Sequence, residues 1–275
     1  MRWWLAVLFL ATGCNRIFSL DETYPIDARP DAVGCSGAVF AGPDPIPGFE
    51  GGDAEFDSQL RFDGLELWFS KTSGGDLQTH VARRSNANAP FGPPQLASFD
   101  GTDRDYDPAL SGDGLRLVFI TNRNGVNELF EVTRDSVATE FGAPGAAPAP
   151  DIGTEIDSID LSDDGLRLYY ANGDGDLWTA KRPSFIEPFA EATQLLTAAA
   201  VFPTLSPDER ELFYSPALGS SELWRAVRPD RDVAFDLTTA VRLRDVGPDP
   251  DMAGDGTTLT ISINNGISVM TRPCL

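Results

Sequence analysis

The chain has 275 residues, enough for one large all-β domain or two ordinary ones, and it can bury an ample core. Forty-two acids against twenty-one bases leave a net charge of −21. That balance argues against nucleic acid, whose phosphates need Lys and Arg, and against electrostatic adsorption to anionic headgroups.

The amino terminus reads as an export signal. Arg2 supplies a small positive region, Trp3 to Ala11 is apolar, and Thr12-Gly13 offers small residues for cleavage, which delimits residues 1–13. The apolar run is too short to span a bilayer, which takes about 20 residues. Ala11-Thr12-Gly13-Cys14 resembles a bacterial lipoprotein box, although the box prefers Leu where Ala11 stands and Leu10 lies one place earlier. The resemblance implies a lipid on Cys14 as the only membrane attachment. It places the protein at the cell envelope, in the outer membrane or periplasm. Cys35 and Cys274 then remain as an even pair in an oxidising compartment. Residues 14–34 carry Asp, Arg and Pro and few large apolar side chains, and read as a tether to a domain over residues 35–275.

From Val39 onward a repeat with a spacing of 44 to 51 residues dominates, the signature of a propeller or solenoid. Its clearest copy is DPALSGDGLRLVF from Asp107, with relatives starting at Asp57, Asp157, Phe202 and Asp249. Each reads as a short strand, an Asp-Gly turn and a second strand alternating Leu-x-Leu-x-aromatic. The fourth unit has Glu209 where the others have the turn glycine, so its turn is expected to differ in geometry. A third strand follows, as in ELFEVTR or ELWRAVR, and ends in arginine. Seven residues later comes a phenylalanine that opens a fourth segment: Arg84 and Phe91, Arg134 and Phe141, Arg182 and Phe189, Arg228 and Phe235.

Arg272 has no such partner after it, while Phe40 precedes the first complete unit. Cys274 lies two residues past Arg272 and Cys35 five before Phe40, so a Cys35–Cys274 disulfide restores the seven-residue interval. The expected fold is therefore all-β, a five-bladed propeller whose last blade is closed by the N-terminal strand. Closure removes the open edge that either chain end would otherwise present. A bridge across so long a loop stabilises by at most about 5 kcal/mol on chain-entropy grounds.

The recurring L-S-x-D-G turn, best seen at Leu110–Gly114 and Leu161–Gly165, and the alternating aromatic strand after it resemble the WD40-like repeats of TolB-type propellers. The resemblance covers Asp57 to Arg272 and implies the fold. It does not carry a function, because such propellers serve as scaffolds, receptors and parts of enzymes alike. TolB-type proteins look to have six blades and a separate amino-terminal domain, against five units here.

His80, the one histidine, occupies an aromatic slot shared with Phe130, Trp178, Trp224 and Ser268, so it reads as a packing residue. No nucleophile–histidine system emerges, and His and Cys are too few for zinc. No metal or cofactor is expected. Asn172 to Asp176 looks like half a calcium loop but lacks its downstream glutamate, Pro183 standing there instead, and reads as a turn. The acids before the first strands of every unit but the fourth, which has Ala200, Val201 and Phe202, are the better candidates: Asp53, Asp57, Asp103, Asp105, Asp107, Asp157 and Asp249. If the first strands line a channel, these gather at one mouth as a cup for a cation, a polyamine or a basic peptide. Alternatively each Asp bonds backbone amides of its own turn.

Two functions follow. The first is a monomeric, non-enzymatic binding or scaffold module whose partner is an envelope protein, peptide or glycan, not nucleic acid. The second is a glycosidase using Asp57, Asp107, Asp157 and Asp249, since five-bladed propellers include such enzymes. An acid and a base need unlike environments, whereas these acids occupy repeated positions.

Overall fold

The computed structural model describes residues 39–49, 53–101, 103–150, 155–197, 201–245, 247 and 249–273. The signal segment, the tether, Cys14, Cys35 and Cys274 lie outside these residues.

Five antiparallel sheets of four strands form the ring. Blade 1 comprises Glu55–Leu60, Glu66–Ser73, Asp76–Arg83 and Gln95–Leu96, from the axis outward. Blade 2 is Asp105–Leu110, Arg116–Thr121, Glu128–Thr133 and Gly145–Ala146, and blade 3 is Ile156–Leu161, Arg167–Asn172, Leu177–Lys181 and Ala190–Leu196. Blade 4 is Val201–Leu205, Glu211–Ser215, Glu222–Val227 and Val241–Asp245. Blade 5 joins Asp251–Met252, Thr258–Ile263 and Gly266–Thr271 to the amino-terminal strand Ala41–Pro45. That last pairing sets Ala41 against Thr271 and Asp44 against Val269, which is the closure expected from the sequence. Helical structure among the described residues is one short turn, Leu237–Thr239, capped by the Asp236 side chain. None of their helices is long and apolar enough to cross a membrane.

The second strands are buried along their length, as in Glu211–Ser215, because each blade is covered on both faces by its neighbours. Five apolar clusters follow from this, one per seam. Trp68, Phe99 and Phe119 join blades 1 and 2, for example, and Phe40, Phe213, Leu259 and Met270 join blades 4 and 5. His80 pairs with Phe69 across the sheet and stacks on its ring at 6.0 Å, in the same slot as Phe130, Trp178, Trp224 and Ser268. Asn172 accepts the amides of Asp174 and Asp176 at 3.2 and 2.8 Å, which makes the segment a side-chain-capped turn.

Two local expectations are corrected. The conserved-interval phenylalanines precede the outer strands instead of opening them: Phe91 stands four residues before Gln95–Leu96, and Phe235 six before Val241–Asp245. The turn at Glu209 has the geometry of its relatives. Its φ of +55° matches +70°, +72°, +68° and +66° at Gly64, Gly114, Gly165 and Gly256, and its amide makes the same bond, to Ser206 O at 2.7 Å. A non-glycine residue is disfavoured there. The Glu209 carboxylate offsets the cost by accepting the Tyr169 hydroxyl at 2.5 Å and pairing with Arg167 at 3.2 Å.

The five arginines staple the ring. Each Nε donates to the turn carbonyl of its own blade, as in Arg134 to Gly114 at 2.7 Å and Arg272 to Gly256 at 2.9 Å. Each guanidinium also lies over its phenylalanine, at 4.4, 4.5, 4.4, 4.3 and 4.9 Å for Arg84, Arg134, Arg182, Arg228 and Arg272 over Phe91, Phe141, Phe189, Phe235 and Phe40. Arg272 further forms a buried ion pair with Glu211 of blade 4 at 2.6 Å. Replacing Arg272 with Ala is expected to cost about 3 kcal/mol, the low end for breaking a buried pair, because Glu211 keeps Arg225 at 2.5 Å. Urea unfolding of the variant against wild type measures this.

Candidate functional site

The inner strands run side by side around the axis, and their side chains form two stacked layers. Register fixes the equivalences. Leu60, Leu110, Leu161 and Leu205 pair with Leu67, Leu117, Leu168 and Leu212, and Met252 pairs with Leu259. Counting back three residues gives Asp57, Asp107, Ser158, Phe202 and Asp249 in the mouth layer. Counting back one gives Gln59, Ala109, Asp160, Thr204 and Asp251 in the deeper layer.

Blade 3 thus departs from the sequence expectation. One extra residue in its first hairpin shifts Asp157 out of the mouth position, and Ser158 takes its place beside Ile159 in the wall of the mouth cavity. The side-chain oxygen Oδ2 of Asp157 is buried without a hydrogen-bond partner. Asp57, Asp107, Phe202 and Asp249 have φ of +50°, +53°, +53° and +56°, each at a break in strand register or just before the inner strand. Aspartate tolerates this left-handed conformation better than most residues, which is a local reason for its recurrence. Phe202 adopts it with a bulky side chain and no such excuse.

The deeper layer and Asp107 bind the ring together. Leu110 N donates to Gln59 Oε1, Ile159 N to Asp107 Oδ2 at 2.7 Å and Leu205 N to Asp160 Oδ2 at 2.8 Å. Met252 N donates to Thr204 Oγ1 at 2.9 Å, and Gln59 Nε2 to Asp251 Oδ1 at 3.3 Å. Every blade is thereby bonded to the next around the full circle. Asp107 and Asp160 thus accept amides of the following blade, while Asp160 Oδ1 also accepts Leu161 N at 2.8 Å and Asp105 accepts Gly101 N of its own loop at 3.3 Å.

The remaining candidates divide. Asp105 is fully buried and held by both oxygens at 3.0 Å from Arg123 Nη2. Asp53 is exposed and 3.5 Å from Lys71, which also meets Glu55 at 3.1 Å. Asp103 is exposed. Only Asp57, Asp107 and Asp249 of the seven line the mouth cavity, whose volume is about 20 Å³. A second cavity of about 30 Å³ lies at the other end of the inner strands, between Gln59, Asp160 and Glu209. Spaces of that size hold about one or two waters. Sequence reasoning missed Gln59, Asp160 and Asp251. Aligning the repeats on Leu60, Leu110, Leu161, Leu205 and Met252, instead of on their leading acids, would have found them. No group of three or more His, Cys, Asp or Glu among the described residues has the arrangement of a metal site.

Burial makes these acids weak. It pushes Asp57 up to about 6 and Asp160 up to about 7. Burial and then the Asp57 charge raise Asp107 and Asp249 well above the carboxylate range; burial and then the Asp160 charge do the same to Asp251. Burial, with the Glu155 charge, raises Asp157. The axis therefore retains protons at pH values where surface carboxylates have lost theirs. Oδ1 of Asp249 and Oδ2 of Asp251 accept no hydrogen bond and are natural sites for those protons.

No protein-family model matches the sequence, and no curated protein matches it either. Among solved structures the chain is similar to a thermostable family-43 glycoside hydrolase, with TM-score 0.57 and 13% identity over 83% of this chain and 92% of that one. It is similar to an α-L-arabinofuranosidase from Podospora anserina in complex with cellotriose, with TM-score 0.56 and 12% identity over 86% of this chain and 96% of that one. It is also similar to TolB from Acinetobacter baumannii, with TM-score 0.47 and 12% identity over 80% of this chain, and it spans 55% of that TolB's length. At such identities the shared property is the propeller fold.

The acids of the axis set a pH dependence. The folded state holds their protons after the unfolded chain has released its own near pH 4. The associated stability is complete below about pH 4 and is lost as pH rises through about 6 and 7, by up to about 1.4 kcal/mol per pH unit per group. Glu66 contributes oppositely. Burial alone would raise it, but Arg134, Arg61 and Arg83 hold it below the ordinary range, so its share is lost only in acid. The urea midpoint is expected to be higher at pH 5 than at pH 8. Asp107→Asn keeps an acceptor for Ile159 N and is expected to flatten that slope; an unchanged slope contradicts the assignment.

Proposed function

We propose that this protein is a non-enzymatic binding or scaffold propeller at the bacterial cell envelope. In this reading Cys14 carries a lipid anchor, Cys35 and Cys274 are bridged, and the partner is an envelope protein, a peptide or a glycan. The observation that carries it is the use made of the axial carboxylates. Asp107, Asp160 and Asp251 accept hydrogen bonds from the next blade, and Asp105 is held by Arg123. Ligand pockets typically have volumes of about 300–1,000 Å³, whereas the two axial cavities measure about 20 and 30 Å³. Cavities of that size speak against a sugar ring between these acids. The spaces of ligand size lie between blades, at about 390 and 510 Å³.

The glycosidase reading draws on the fold shared with the family-43 hydrolase and the arabinofuranosidase. It needs two carboxylates of unlike environment on either side of a sugar, roughly 5 to 9.5 Å apart. Asp57, Asp107 and Asp249 instead share one environment and one direction of pKa shift. Incubation with chromogenic α-L-arabinofuranosides and β-D-xylosides is expected to release no chromophore above a heat-denatured control. Turnover that disappears in Asp107→Asn would establish the enzyme instead.

The envelope assignment has its own check. Expressed from its full sequence in a bacterium, the protein is expected in the membrane pellet, and Cys14→Ala is expected to move it to the soluble fraction. Mass spectrometry of the unreduced protein is expected to find the peptides bearing Cys35 and Cys274 linked.

A further inference from the structure

The staple that closes each blade also reaches across the seam to the preceding blade, in four seams of five. Arg134 Nη2 meets Glu66 at 2.7 Å, and Arg182 Nη2 meets Glu131 at 2.8 Å. Arg228 Nη2 donates to the Tyr169 hydroxyl at 2.9 Å, and Arg272 pairs with Glu211 at 2.6 Å. Arg84, at the seam between blades 5 and 1, faces no carboxylate within ion-pair distance among the described residues. Its cross-seam position is held by Thr258, which opens its strand as Glu66 and Glu211 open theirs.

Two further differences open this seam. Arg134, Arg182, Arg228 and Arg272 are buried with their phenylalanines, whereas Arg84 and Phe91 are both only partly buried. In blades 2 and 3 the loop after the arginine plugs the seam. Val137 packs against Gly114 and Phe185 against Gly165, but at Gly64 the nearest group is the Arg84 guanidinium itself. The corresponding loop residue is Ala87, too short to fill the space. A cavity of about 390 Å³ results. Arg84 and Thr258 supply its polar side, and Ile46, Phe62, Phe91 and Val269 its apolar walls.

Two acids also border the cavity, and both are engaged. Asp63 bonds Arg61 at 2.6 and 2.8 Å and Leu65 N at 3.0 Å. Asp255 accepts Thr257 N at 2.7 Å, Thr258 N at 2.8 Å and the Thr258 hydroxyl at 2.9 Å. Burial lowers the Arg84 pKa, and the charge of Asp63, which is outside ion-pair distance, offsets only part of that. A partly desolvated guanidinium without its carboxylate, at the polar end of an apolar cavity, is an anion receptor of defined shape.

We infer that the seam between blades 5 and 1 binds a monocarboxylate borne on a compact apolar group, the carboxylate taking the place on Arg84 that Glu66 and Glu211 take on Arg134 and Arg272. Such a group is offered by a free aliphatic or aromatic acid and by the carboxy-terminal residue of a peptide. The site is separate from the axis and stands whether or not the axis is catalytically silent.

Calorimetric titration of the protein tests this with N-acetyl-phenylalanine, N-acetyl-phenylalaninamide and hexanoate. N-acetyl-phenylalanine is expected to bind with a dissociation constant below about 1 mM, and the amide at least about tenfold more weakly. Preference for hexanoate over N-acetyl-phenylalanine assigns the site to a free acid; the reverse assigns it to a chain terminus. Arg84→Gln is expected to lose the discrimination between acid and amide. Thr258→Glu supplies the missing partner within the protein, and is expected to abolish binding while raising the melting temperature. Equal affinity for acid and amide, no heat from either acid, or unchanged binding in Thr258→Glu would overturn the inference. Circular dichroism of both variants separates lost binding from lost fold.

Discussion

A guanidinium lying on a phenylalanine ring, with Nε on a turn carbonyl, recurs at the end of every third strand, and in four of the five its Nη reaches the neighbouring blade. It joins three things that a propeller must hold together: the hairpin turn, the outer strand and the next sheet. Each arm alone is modest. Cation–π contacts contribute about 0.5–2 kcal/mol depending on desolvation, and charge-assisted hydrogen bonds are roughly twice as strong as neutral ones. Together they fix the rotamer of a side chain otherwise rich in conformational entropy, which is why arginine and not lysine serves here. The Arg272–Phe40 contact at 4.9 Å extends the device across the chain ends and makes the ring continuous.

At the axis a second circle of hydrogen bonds does the corresponding work with carboxyl and amide side chains. Buried acids are costly when ionised, and at this axis the cost is met by retaining protons and accepting backbone amides. The consequence for function is direct. Asp107, one of the acids that look like a ligand cup when projected from the repeats, bonds the next blade, and the cavity lined by Asp57, Asp107 and Asp249 measures only about 20 Å³. The larger spaces lie away from the axis, and of five similar seams one differs. Thr258 and Ala87 mark the one that does.

Much of the architecture was legible because a repeat is a local signal. Asp-Gly turns, Leu-x-Leu-x-aromatic strands and the arginine-to-phenylalanine interval each depend on residues close in the chain, so five copies can be counted and the missing interval noticed. Legibility failed where one residue more or less changes register. Asp157 looks equivalent to Asp107 by its place at the head of a repeat, yet the pairing of Leu161 with Leu168 gives that position to Ser158. Glu209 was misjudged for a related reason: its tolerance of a positive φ depends on Tyr169 and Arg167, which a single turn does not contain.

The number of blades, the order of strands and the joining of Phe40 to Arg272 followed from the amino-acid sequence by itself, since turn chemistry and strand periodicity act over a few residues. The tertiary structure decided which acid bonds which blade, which charges are buried and which of the five repeated arginines faces no carboxylate across its seam among the described residues. Those outcomes depend on lateral contacts between residues some fifty positions apart, as between Asp107 and Ile159 or Arg134 and Glu66, and no individual repeat encodes them.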